Sequence, residues 1–140
     1  MIMVTLIIGN KGSGKTKKLI DLANKAIDES NGNVVVVEKG AKLTYDINHE
    51  ARLIDTEQFG IEGFEAFYGF ISGICAGNYD VTHVLIDSTL KIGGNDLKGL
   101  VDFINKVDKI TSTTDTKFAI SVSCEESDIK GKISAEINRV

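Results

Sequence analysis

The stretch Gly9-Asn10-Lys11-Gly12-Ser13-Gly14-Lys15-Thr16 decides the fold of this chain. It fits the spacing GxxxxGK[ST]. An apolar run, Ile2 to Ile8, leads into it, and a segment of helical periodicity follows. Strand, glycine loop, helix is the context in which such a loop cradles phosphate. Gly9, Gly12 and Gly14 free the backbone to turn its N–H groups inward as an anion nest. The new helix adds unpaired N–H groups and the positive end of its dipole. Lys15 brings a full charge to the outer phosphates. The Thr16 hydroxyl suits Mg²⁺, which prefers hard oxygen ligands. Residues Gly9, Asn10, Lys11, Gly12, Ser13, Gly14, Lys15, Thr16 and Lys17 are therefore the expected nucleotide-holding set.

Working outward, Met3 to Ile8 reads as a strand apolar on both faces, as in the centre of a parallel sheet. From about Gly14 to Ser30, Leu19, Leu22, Ala23, Ala26 and Ile27 share a helical face, and Asn31-Gly32 closes it. Asn33 to Val37 carries four consecutive valines, a buried strand ending at Glu38. Residues 41–50 read as loop with a short strand near Leu43 to Ile47, and Arg52 to Asp55 as a brief strand. Ile61 to Gly77 reads as a helix with a stripe of Ile61, Phe64, Tyr68, Ile71 and Cys75. Its Gly69, Gly73 and Gly77 point to tight packing on the sheet or on another subunit. Thr82 to Asp87 is a strand, Gly93 to Asn95 a loop, and Asp96 the N-cap of a helix bearing Leu97, Leu100, Val101, Ile104, Val107 and Ile110. Phe118 to Ser123 is the last clear strand. Ile129, Ile133 and Ile137, four apart, suggest a closing helix. Alternating strands and helices predict a three-layer α/β/α sandwich with a mostly parallel sheet, and residues 1–140 read as one domain.

That arrangement sets Glu38, Asp87 and Ser121 to Cys124 at the carboxyl edge with the glycine loop, where ligands bind in open α/β sheets. Val84-Leu85-Ile86-Asp87 has the form of a Walker B strand, with Asp87 completing a Mg²⁺ site opposite Thr16. Asp55, after Leu53-Ile54, is the weaker rival. Glu38 is the candidate general base, or else a strand-end charge paired with Lys39 or Lys42.

These motifs resemble the P-loop NTPases, and within them the RecA/KaiC-like branch. In that branch a glutamate after the second strand activates water, as Glu38 would. The Walker B strand reads apolar-apolar-Asp-Ser, as Ile86-Asp87-Ser88 does, and a later strand ends in polar residues that sense the γ-phosphate, matching Ser121 and Ser123. The resemblance implies ATP and Mg²⁺ as ligands, Lys15 and Glu38 as catalytic groups, and slow hydrolysis. No glutamate follows Asp87, however, which favours a non-hydrolysing regulatory or assembly module. A small nucleoside-type phosphotransferase is a third reading. It is disfavoured because Arg52 and Arg139 are the only arginines, and phosphate clamps usually need several. Arg139 is a candidate finger for a neighbouring copy, so a homo-oligomer or protein partner belongs to the expectation.

Composition bounds the rest. With 42% hydrophobic and 26% charged residues the chain is globular, and a net charge of −4 argues against broad nucleic-acid binding. Cys75 and Cys124 form neither a disulfide framework nor a metal spacing. The first apolar run is too short for a signal peptide or a membrane span, so a cytoplasmic location is expected. His49 reads as a loop residue and His83 as a strand cap.

Overall fold

The computed structural model describes residues 3–139 of the chain; Ile2, where the leading apolar run begins, lies outside them. Six strands form one sheet: β1 (Val4–Ile8), β2 (Asn33–Glu38), β3 (Arg52–Asp55), β4 (Val81–Ile86), β5 (Lys117–Val122) and β6 (Glu136–Arg139). Their spatial order is β3-β2-β4-β5-β1-β6, and every pair is parallel. Helix α1 (Lys15–Glu29) follows β1. Helices α2 (Phe64–Gly77), α3 (Thr89–Gly93), α4 (Leu97–Ile110) and α5 (Glu126–Ile129) come later, with a 3-10 turn at Thr56–Phe59. Among the described residues no helix is long and apolar enough to cross a membrane.

Alternate residues of each strand face opposite layers. Val35 and Val37, with Val84 and Ile86, join Phe67 and Ile71 of α2 and Leu100, Phe103 and Ile104 of α4 in one core. Phe67 and Phe103 stack with centroids 4.9 Å apart. Val34 and Val36, with Ile7 and Leu85, pack under Leu19, Ala23 and Ala26 of α1. The four valines thus feed both cores, which is why β2 shows no alternation in sequence. Asp96 caps α4 as expected, its carboxylate accepting from the Gly99 N–H at 3.0 Å.

Several expectations are corrected. Residues 129–137 hold no continuous helix: Ile129 ends the short α5, and Ile137 belongs to β6, opposite Leu6. Leu43 to Ile47 form turns rather than a strand, although both end residues are buried against α1's side of the sheet. A short helix, α3, occupies 89–93, a stretch the sequence left without structure. Gly69, Gly73 and Gly77 do not pack on the sheet. A Cβ placed on any of them meets nothing within 4 Å, because the helix buries its Phe67, Ile71 and Cys75 side instead. His83 sits inside β4, its Nδ1 2.8 Å from Thr82 Oγ1, rather than capping a strand.

The glycines divide into two kinds. A Cβ on Gly32 would drive into the backbone oxygen of Asp80, so Gly32→Ala should cost about 1–3 kcal/mol of stability. Gly73→Ala lies in an open helix interior and should gain about 0.5–1 kcal/mol. Urea unfolding of the two variants measures both, and equal signs would refute the assignment.

Candidate functional site

Strand β1 is buried to its end at Ile8, and the chain leaves the sheet through a glycine loop. Gly12 and Gly14 take φ of 82° and 98°, the left-handed region that a Cβ disfavours. The Ser13 N–H donates to the Asn10 carbonyl at 3.0 Å, which tightens the loop. Lys15 is buried, 8% exposed, and its Nζ donates to that same carbonyl at 2.7 Å. Burial lowers its pKa below the usual lysine value, while Asp87 and Cys124 act in the opposite sense.

Helix α1 starts with Gly14 as N-cap and no side-chain cap. Its first turn has no acidic residue and carries Lys15, Lys17 and Lys18. Cations at the positive end of a helix dipole are unfavourable unless an anion sits among them. Ser13 Oγ is buried with no hydrogen-bond partner among the described residues. An unsatisfied hydroxyl, open glycines and an uncapped cationic helix start all fit a phosphate group.

Parallel register brings the second half of the site alongside. Ile86 pairs with Ile120, and Ile7 with Ser121, so Asp87 and Ser121 stand at the carboxyl edge near the loop. Thr16 Oγ1 donates to Asp87, 3.3 Å from each carboxylate oxygen. Ser121 Oγ donates to Asp87 Oδ1 at 2.8 Å and accepts from the Ser88 N–H at 3.0 Å. Ser88 adopts φ of 55°, the one non-glycine residue in the left-handed region among those described. Such strain persists where surrounding bonds hold it. Asp87 itself is held at the sheet by its N–H, which donates to the Val37 carbonyl at 2.9 Å.

A cavity of about 470 Å³ opens here, lined by Lys11, Gly12, Lys15, Thr16, Asp87 and Ser121, with Ser88, Leu90, Lys91, Asn95 and Ser123. Three lysines face one carboxylate, so the space favours an anion. Among the described residues no three His, Cys, Asp or Glu groups cluster as a metal site. Thr16 and Asp87 nevertheless offer two hard oxygens, the pattern of Mg²⁺ sites completed by phosphates and water.

Of the expected residues, Lys11, Gly12, Lys15, Thr16 and Asp87 thus share one cavity. Gly9 is buried at its root, and Asn10 and Lys17 are exposed. Glu38 is not among the lining residues. It is buried, and its two oxygens accept from the N–H groups of Lys42 at 3.2 Å and Leu43 at 3.0 Å. Burial raises its pKa above the usual carboxylate value, against the pull of those two bonds, and Asp87 and Asp55 raise it further. Asp55 caps local backbone, accepting from Gly40 at 2.7 Å and Glu57 at 2.9 Å. Arg139 pairs with Glu125 at 3.5 Å on the surface, level with Ile8 of β1. Burial, with Asp128 and Glu125 nearby, pushes the Cys124 thiol up to about 11, so it stays protonated at neutral pH. Lys91 and Asn95 were missed in the sequence. Their only signal was position just after the Asp87 strand.

No protein-family model matches the chain, and no curated protein matches it. Among solved structures it is similar to PCH-2 of C. elegans, with a TM-score of 0.55 and 15% identity. The match covers 99% of this chain and 35% of that one, so the chain spans about a third of that protein's length. The likeness is one of fold alone: an α/β/α sandwich around a parallel sheet.

The Glu38 contacts generate a prediction. An amide in its place must turn NH₂ toward one of two N–H donors, so Glu38→Gln should cost about 1–3 kcal/mol. A carboxyl whose native pKa is raised above the ordinary 4.5 contributes most below that value, and loses its contribution as pH climbs through the native pKa. The cost of the substitution should therefore be largest at the acid end and shrink as pH rises. Urea unfolding of parent and variant across that window tests it, and a cost independent of pH would count against the buried carboxyl.

Proposed function

We propose that this chain binds Mg²⁺ and a nucleoside triphosphate, with ATP as the first candidate, and hydrolyses it slowly as a RecA/KaiC-like ATPase module. The observation that carries the reading is the meeting of Thr16 with Asp87 across 71 residues of sequence. The loop N–H groups and Lys15 would hold the phosphates. Thr16 and Asp87 would hold the metal, which supplies positive charge against the phosphate oxygens when bound. Ser121 orients Asp87 through its 2.8 Å hydrogen bond, a role that agrees with the polar strand end of that branch. Cytoplasmic work with both thiols reduced belongs to the same proposal.

Hydrolysis joins a water oxygen to the γ-phosphorus, breaks the bond to the bridging oxygen, and passes the water proton to a base. Glu38 fills that role only after releasing Lys42 and Leu43, whose N–H groups engage both its oxygens. This supports slow turnover. It also favours the second reading, a module in which bound nucleotide governs assembly without being split. Phosphotransfer to a nucleoside is the third, with Lys91 in the place an arginine clamp would take.

Mg-ATP at about 100 times its dissociation constant should stabilise the parent by roughly 2.7 kcal/mol, and Lys15→Ala should lose most of that gain. Phosphate release should be slow in the parent and absent in Glu38→Gln, with stabilisation by nucleotide retained. Binding without release in every variant selects the assembly module. Transfer to an added nucleoside selects phosphotransfer. No thermal response of the parent to any Mg-nucleotide sinks all three.

A further inference from the structure

The helices are shared unequally between the two faces of the sheet. Residues from α2, α3, α4 and α5 enter one core, whereas α1 and the loop at 41–51 supply the other. Parallel strands are ordinarily covered on both faces. Beside α1, a cavity of about 250 Å³ opens onto the sheet, away from the glycine loop. Leu22 and Ala26 of α1, Leu85 of β4 and Ala119 of β5 give it apolar walls. Lys18, Lys25 and Lys117 stand among its lining with one carboxylate, Glu29.

Two magnitudes narrow the occupant. Pockets for cofactors and comparable ligands run about 300–1,000 Å³, so this one is small for them and suits one or two side chains of a docked segment. The local charge is opposite to that of the chain, whose 20 acidic residues outnumber its 16 basic ones. Glu29 lies 3.9 Å from Lys25 on the open surface, where an ion pair offsets little. His83 also lines the cavity. Burial and Lys117 lower its pKa, so it adds no charge at neutral pH. A nucleic acid would meet the lysines but has no side chain for the apolar walls.

We infer that this cleft receives an acidic amphipathic helix of a partner protein. Its apolar residues would seat against Leu22, Ala26, Leu85 and Ala119, and its carboxylates would face Lys18, Lys25 and Lys117. Helix-on-sheet is the packing that completes the layer beside α1. This inference does not depend on what occupies the glycine loop.

The test uses the full chain and a fluorescein-labelled synthetic helical peptide of leucine on one face and glutamate on the other, read by anisotropy. The glutamate peptide should bind, weaken as salt rises, and weaken about tenfold or more against the double variant Lys25→Glu/Lys117→Glu. A counterpart with lysine for glutamate should prefer that variant over the parent. Both substitutions lie on the surface, outside the proposed nucleotide site, so thermal unfolding checks that the variant is folded. A second variant, Ala119→Met, narrows the cavity without altering charge and should also weaken the glutamate peptide. The inference is overturned if the glutamate peptide does not bind the parent, if neither variant affects it, or if a labelled oligothymidylate binds the cleft lysines in preference.

Discussion

The carboxylate of Asp87 joins the three pieces of chain that make the site. It accepts hydrogen bonds from Thr16 at the start of α1 and from Ser121 at the end of β5, while its own backbone is tied to β2. It is also 6% exposed. A buried charge is tolerable only when it is paired and hydrogen-bonded. Here the hydroxyls of Thr16, Ser88 and Ser121 and the nearby Lys15 ammonium meet that need. The glycine loop, the strained Ser88 and the sheet edge are therefore one electrostatic unit. None of the three can be moved without stranding the carboxylate.

The two acidic strand ends follow different logic. Asp87 faces hydroxyls and a lysine, groups that can be exchanged for a metal ion and phosphates. Glu38 takes its hydrogen bonds from backbone N–H groups of its own following loop. The first arrangement lines the cavity, whereas the second holds a turn. That turn matters to the fold, because Leu43 and Ile47 beyond it are buried in the core beneath α1. A residue that fixes a core-forming loop and also serves as a base must give up one role to perform the other.

What was legible in the sequence follows from range. The valine run of β2, the periodic faces of α1 and α4, and the Asp96 cap are local patterns, and all were readable. The glycine loop and the Asp87 strand were readable because each has its own signature. β6 was not: Ile129, Ile133 and Ile137 imitate a helix, and only pairing with β1, far away in sequence, makes Ile137 part of a strand. The glycines of α2 show spacing but not facing, and the side that burial chose was the other one. Glu38's contacts depend on a loop turning back by four and five residues, and Lys91 reaches the cavity from a short helix with no sequence signal. Both are tertiary outcomes that periodicity cannot express.

The sheet order carries a consequence for how the protein is made. β2 pairs with β3 and with β4 within residues 33–86, but β1 pairs with β5 and β6, more than a hundred residues downstream. Distant pairings form late, since the entropy of closing so long a segment must be overcome first. Of the six strands described, β1 is made first and waits longest for its neighbours. A nascent chain halted before residue 117 already carries every letter of the glycine motif, yet it lacks Ser121, whose hydroxyl holds the Asp87 carboxylate.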